Sequence, residues 1–168
     1  MSGADANIIG LYERHALAFD KVRGRNLFER PWLDHFTGLI PQRGHVLDLG
    51  CGAAEPMAAP LISRGFHVTG VDPSKTLIGL ARERFPGMAW HEDDMRKFYI
   101  PTKFSGILAW HSFFHLNADD QRAMFPRFGA LAGPGAGLMF TSGHFEGEAM
   151  GEFGVEPLYH ASLSKAEY

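Results

Sequence analysis

The run Val46-Leu47-Asp48-Leu49-Gly50-Cys51-Gly52 constrains the fold more than any other part of the chain. Residues of strand character lead straight into a Gly-x-Gly turn, which lets the backbone bend tightly and come close to a ligand. The texture then repeats. Short apolar runs recur at residues 67–71, 88–91, 104–110 and 137–141. Helical stretches over about 55–64, 72–84 and 118–131 lie among them, the last carrying Pro126. Strands separated by helices of this length build βαβ units, and these predict an α/β fold with a parallel sheet covered by helices on both faces.

Ahead of this core, Ile8, Leu11, Tyr12, His15 and Phe19 fall at helical spacing and predict one amphipathic helix over residues 7–20. A second helix begins at about Pro31, carries Trp32, Leu33 and Phe36 on one face, and ends at residues 38–41. The expected organisation is one domain over residues 1–168: a helical cap at 7–38, a core at 44–142 and a tail at 143–168. With 45% apolar and 21% charged residues the chain has the composition of a soluble globular protein. A net charge of −3 without a Lys/Arg run argues against nucleic acid as a partner. No stretch approaches the ~20 apolar residues of a membrane span. Met1-Ser2-Gly3-Ala4-Asp5 lacks the basic-then-apolar pattern of a secretory signal, which predicts a cytoplasmic location. The single cysteine, Cys51, excludes an internal disulfide and a multi-cysteine zinc site, and no metal is expected.

Three features converge at the strand ends. Gly50 and Gly52 form the first. Asp72, 22 residues after Gly50, closes the second strand, where an acid can accept hydrogen bonds from both ribose hydroxyls of a nucleoside. Asp94-Met95 follows the third strand, where a carboxylate can accept from an exocyclic amine. Taken singly, the glycines could simply make a turn, and Asp72 could simply cap a helix. Together they define one crevice.

In this order and spacing, with residues 107–116 and 134–140 following, the sequence resembles the class I S-adenosylmethionine-dependent methyltransferases from about residue 20 onward. Glu55-Pro56, Asp94-Met95-Arg96 and Ala109-Trp110 with Phe113-Phe114-His115-Leu116 are similar to bacterial small-molecule methyltransferases. The resemblance implies a Rossmann-like doubly wound sheet of five parallel strands in the order 3-2-1-4-5. It also implies S-adenosylmethionine as cofactor, S-adenosylhomocysteine as product and a small-molecule acceptor. Gly50 and Gly52 would approach the methionine part, with Asp48, Cys51 and Glu55 beside them. Asp72 would hold the ribose, next to Pro73 and Ser74. Asp94 would meet the adenine amine, the Met95 N–H a ring nitrogen, and Trp110, His111 and Ser112 would line the crevice near the sulfonium. Ala54 stands where a third glycine is usual. An NAD-dependent oxidoreductase is the nearest rival, since a Gly-x-Gly turn and a ribose acid serve dinucleotides too. Against it, Glu55 at the expected helix start would repel a pyrophosphate.

Methyl transfer is a displacement at an activated carbon, so positioning supplies much of the rate. Where the acceptor must lose a proton, His111 and His115, just after the fourth strand, are the candidate general bases, with His144 a further one after the fifth. Each could instead pack or cap a loop, and Cys51 reads as a small packed residue. If Tyr12 and the first helix fold over the crevice, they form part of a partly apolar acceptor pocket.

After Thr141 only 27 residues follow, including the glycine-rich stretch 143–154 and a capping-box pattern, Ser164 with Glu167. The expectation is that the family's sixth and seventh strands are missing, which keeps open a module that binds the cofactor without turnover. An uncovered fifth strand would then pair with a second copy, giving a homodimer or higher species, unless the tail folds back over it.

Overall fold

Strand β1 (His45–Leu49) divides its side chains between two cores by simple alternation. Val46 joins a cluster with Leu33, Phe36, Ile40 and Leu61, while Leu47 and Leu49 join another with Phe104, Ile107, Met124 and Phe128. Full burial of each such side chain contributes about 1.5–3 kcal/mol. The computed structural model of the chain describes Asp5 and residues 7–168; residues 1–4, read above for a secretory pattern, lie outside it.

In chain order the elements are α1 (Ile8–Arg14), α2 (Ala16–Val22), α3 (Arg30–Leu39), β1, α4 (Ala58–Ser63), β2 (His67–Asp72), α5 (Lys75–Arg84) and β3 (Ala89–Glu92). They continue with β4 (Phe104–Ala109), a 3₁₀ turn (Phe113–His115), α6 (Ala118–Leu131), β5 (Ala132–Phe140), β6 (Gly147–Phe153) and β7 (Glu156–Ser162). Strands β1 to β5 form one sheet in the order β3-β2-β1-β4-β5, every pair parallel. The predicted order and layering therefore hold. Helix α3 packs tightly on the sheet: a Cβ on Gly106 would lie 2.7 Å from the Phe36 ring.

Several boundaries differ from the sequence expectation. The first helix is two, broken at His15, whose backbone leaves helical geometry (φ −106°, ψ 12°). Helix α4 starts at Ala58 and not at Glu55, because residues 53–57 run through turns and Ala54 takes a positive φ of 70°. Pro126 is accommodated inside a continuous α6. Strand β5 begins at Ala132, with a register shift between Phe104 and Gly106 on its partner.

The largest correction concerns the tail. A sixth and a seventh strand are present: β6 and β7 form an antiparallel hairpin, with Phe153 opposite Glu156 and Gly154 in the turn at φ 65°. They make a sheet of their own, separate from the five-stranded one among the described residues. One face of the hairpin buries Tyr159 and Ala161 against Ile8 of α1. The tail folds back, as the alternative reading had it, but across the carboxyl ends of the strands and not along β5.

Candidate active site

The carboxyl ends of β1 to β4, with α1 and α2 above them, enclose a cavity of about 790 Å³ counting its open mouth. Its floor is set by backbone geometry. Gly50 and Cys51 both donate their N–H to the Val71 carbonyl, at 2.7 and 3.1 Å. Gly50 sits at φ +77°, and a Cβ there would lie 2.2 Å from the Ser112 Cβ. Ser112 is fixed in turn, donating Oγ–H to the Leu49 carbonyl at 2.6 Å. Only glycine satisfies both the dihedral and the space.

Asp72 is held from two loops, accepting from Gly52 N–H at 3.0 Å on one oxygen and from Ser74 N–H at 2.9 Å on the other. Each oxygen retains a lone pair. Burial pushes its carboxyl up to about 6, against the pull of those two bonds. Asp48, deeper in β1, is pushed up to about 7 by burial and by the Asp72 charge, and its Oδ2 has no hydrogen-bond partner. Asp94 lines the cavity with its carboxylate gripped by Arg96, whose Nε lies 3.0 Å from both oxygens and which also reaches Asp120 at 2.8 Å. Burial raises the Asp94 carboxyl, but the Arg96 bonds outweigh it and hold the group below its usual range.

The cover is tied down by side chains. Glu13 of α1 accepts from Ser74 Oγ, Thr76 N–H and Thr76 Oγ, and these bonds, Ser74 first, lower its carboxyl. Ser74 also caps α5 by accepting from Leu77 N–H. Tyr12 stands edge-on to Phe19, with ring centroids 5.1 Å apart, and Phe153 of β6 packs against Tyr12, His15 and Phe19. Arg14 and His15 pair with Glu156 at the start of β7.

Nine of the sequence-expected residues line the cavity together: Gly50, Gly52, Asp72, Pro73, Asp94, Met95, His111, Ser112 and His115. His111 has a positive φ of 53°, its N–H donates to Thr141 Oγ at 2.7 Å, and burial lowers its imidazole, with Arg23 adding to the effect. His115 is pushed down to about 4, chiefly by burial. Five expected residues are not cavity walls. Asp48 lies beneath, and Ser74 faces Glu13 and the α5 terminus. Cys51 packs in the core with Trp90, and its thiol is pushed up by burial. Trp110 packs against the same core, with Nε1 buried and unpartnered. Glu55 pairs with Arg25 at 2.6 Å and Arg84 at 3.5 Å, so the repulsion argued from its place at a helix start has no basis in the geometry. His144 is exposed. Sequence reasoning missed Phe19, Leu77, Arg96, Asn117 and Asp120 as walls. A signal existed for two of them: Asn117 followed three residues later by Asp120 marks a helix start, and Asn117 does cap α6.

An open parallel sheet in the order 3-2-1-4-5, with a glycine turn and acids at successive strand ends facing one crevice, defines a Rossmann-like α/β protein with its crevice at the carboxyl ends of the strands. A methyltransferase domain model matches residues 46–135, more than half of the chain, and the chain belongs to that family. An uncharacterized methyltransferase of Bacillus thuringiensis (strain Al Hakam) is 24% identical over 139 residues, covering 79% of this chain and 65% of the relative. The chain thus spans just under two thirds of that relative's length. Among solved structures, DhpI in complex with SAH has a TM-score of 0.76 at 17% identity, over 99% of this chain and 84% of that one. The N-methyltransferase NodS from Bradyrhizobium japonicum, in complex with S-adenosyl-l-homocysteine, has a TM-score of 0.68 at 22% identity, over 80% and 72%. These likenesses establish the fold.

Proposed function

We propose that this chain transfers a methyl group from S-adenosylmethionine to a small-molecule acceptor and releases S-adenosylhomocysteine. One observation carries the reading: the Gly50–Gly52 turn, the doubly anchored Asp72 and the Asp94-Met95 segment share a single cavity with His111 and Ser112. The walls fit such a donor chemically. Leu77, Met95 and Leu116 offer apolar surface for a base, and Asp72 keeps lone pairs for ribose hydroxyls. In this reading the Met95 N–H meets a ring nitrogen, and the adenine amine shares the Asp94 carboxylate with Arg96. The cofactor, when bound, supplies a methyl carbon activated by a sulfonium. An acid-rich wall whose one lining cation among the described residues, Arg96, is already held by Asp94 and Asp120 suits a cationic donor and disfavours a pyrophosphate. That argument replaces the one from Glu55. The cover of α1 and α2, braced by the hairpin, shields part of the cavity from water.

Calorimetric titration of the chain with S-adenosylmethionine and S-adenosylhomocysteine tests the first half of the proposal, and methyl-transfer assays on small acceptors test the second. No heat of binding up to about 1 mM of either ligand, the upper end of ordinary KM values, would sink it. Two finer parts belong to the same reading. The buried, unpaired Cys51 accords with a reducing, cytoplasmic setting. The outer edge of β5, where Leu138 is 41% exposed, has no strand partner among the described residues and is offered to a second copy. Light scattering at micromolar concentration checks this, and a clean monomer removes the dimer.

A further inference from the structure

Both nitrogens of the His115 ring are spoken for. Nδ1 lies 2.8 Å from the Tyr159 carbonyl oxygen, which can only accept, so Nδ1 carries the proton of the neutral ring. Nε2 is then the lone-pair nitrogen, and the Tyr12 hydroxyl, 2.9 Å away, donates to it. That commits the Tyr12 proton inward and leaves its oxygen with lone pairs that accept. Both side chains line the cavity, yet His115 is only 7% exposed, with Tyr12 on its Nε2 side and the His160 ring 4.9 Å away. The path into this histidine runs through Tyr12.

We propose that Tyr12 Oη receives the O–H of the methyl acceptor and passes its own proton to His115 Nε2, for an acceptor whose nucleophile is a hydroxyl oxygen on an uncharged aromatic body. This rests on the methyl-transfer reading above. The electron count closes. A lone pair on the acceptor oxygen forms the new bond to the methyl carbon, and the carbon–sulfur pair stays with sulfur. The acceptor's O–H pair stays on its oxygen, while the proton moves to Tyr12 Oη and the Tyr12 proton moves to His115. Tyr12 ends neutral. His115 ends as the imidazolium, taking over the positive charge that the sulfonium loses, and gives the proton to water as product leaves.

The geometry favours a hydroxyl, because a relay of this kind serves an acceptor that must lose its proton, whereas a neutral amine can attack while keeping its protons. Burial holds His115 at about 4, so it is neutral and ready to accept near pH 7, but it is a weak base. It can take a proton from a methylated hydroxyl, which is strongly acidic, and not from an alkylammonium, which like lysine titrates near 10. The other groups facing the pair do not reverse this. His160 and His111 oppose a charge on His115, while burial first and Asp72 second raise the Tyr12 hydroxyl and Arg23 lowers it, leaving Tyr12 at about 12 and protonated. Two rings that line the cavity, Phe19 and His115, stand against the Tyr12 ring with centroids 5.1 and 5.4 Å away, and these fit a planar partner.

The test uses the full chain and its Tyr12→Phe variant. Nitrogen-15 NMR of the imidazoles, read without any ligand, should show His115 as the Nδ1–H tautomer, with an Nε2 resonance that moves when Tyr12 becomes Phe. An Nε2–H tautomer overturns the relay. Calorimetry with S-adenosylhomocysteine present then compares p-cresol with 4-methylbenzylamine. p-Cresol should bind about fivefold to tenfold more weakly to Tyr12→Phe, the loss of one hydrogen bond, and the amine should not distinguish the proteins. No p-cresol binding to the wild type, equal p-cresol binding to both proteins, or tighter binding of the amine overturns the acceptor class. A parallel loss of S-adenosylhomocysteine affinity in Tyr12→Phe would assign Tyr12 to the cofactor and overturn the proposal. If the wild type itself does not bind S-adenosylhomocysteine, the methyl-transfer reading fails, while the tautomer still decides the relay.

Discussion

Gly50 on the cavity floor and Cys51 beneath it are fixed by main-chain hydrogen bonds to Val71 and Gly52 by the Asp72 carboxylate, whereas α1, α2 and the β6–β7 hairpin above them are fixed by rings and ion pairs. The floor lies inside residues 46–135, the stretch matched by the family model; the cover lies outside it. Main-chain geometry tolerates few residue types, and a floor built on it can be common to a whole family. Contacts among partly exposed side chains tolerate more, so a cover built largely on them can differ between members. In the proposed function this separates what holds the donor from what selects the acceptor.

Four substitutions probe that contrast, in falling order of effect. Gly50→Ala adds a Cβ to a left-handed residue and drives it into Ser112. Urea unfolding should show a loss of about 2–4 kcal/mol from strain and overpacking; an unchanged midpoint would mean the floor is no more rigid than the cover. Next, Asp72→Ala should weaken S-adenosylmethionine binding by about 10- to 150-fold, or 1.5–3 kcal/mol, with the fold retained. Equal calorimetric affinity would take Asp72 out of the ribose role.

The third probe is Asp48→Asn. A carboxyl raised from 3.8 to about 7 in the fold contributes stability below its unfolded value, and that contribution is lost as pH climbs through the folded value. At pH 8 the wild type carries a buried charge with an unpartnered oxygen beside Asp72, so the neutral variant should be more stable by about 1–3 kcal/mol. Near pH 5 the difference should shrink towards zero. Thermal melts at the two pH values check the sign, and a variant less stable at pH 8 would show that the charge is compensated. Smallest of all is Glu156→Gln, which removes the exposed pairs to Arg14 and His15. Amides of β6 and β7 should exchange roughly two- to fivefold faster, while those of β1 and β4 stay unchanged. Equal acceleration in β1 would join floor and cover into one cooperative unit.

The floor was legible because its chemistry is local. A strand, a Gly-x-Gly turn and an acid at the next strand end specify their own geometry, and Gly50, Asp72 and Asp94 lie where the pattern puts them. Glu55 was misjudged because its partners, Arg25 and Arg84, stand about thirty residues away on either side, beyond any local pattern. The hairpin escaped notice because Gly147, Gly151 and Gly154 weaken its strand signal, and because only Tyr159 and Ala161 among its apolar residues are buried against the rest of the chain. Proximity of His115 to the crevice could be read from its place after β4. Its protonation could not, since that depends on a carbonyl 44 residues later and a phenol 103 residues earlier.

The hairpin also bears on how such a chain can diversify. Val155 in its turn is 97% exposed and Met150 on β6 is 53% exposed, so substitutions at these positions disturb little packing. Phe153, on the same arm, reaches the rings around Tyr12. Drift on this arm can therefore shift Phe153 and the rings it packs against while the parallel sheet keeps its folding free energy. In the proposed function, new acceptors become accessible through small changes in a peripheral arm, with the donor site left intact.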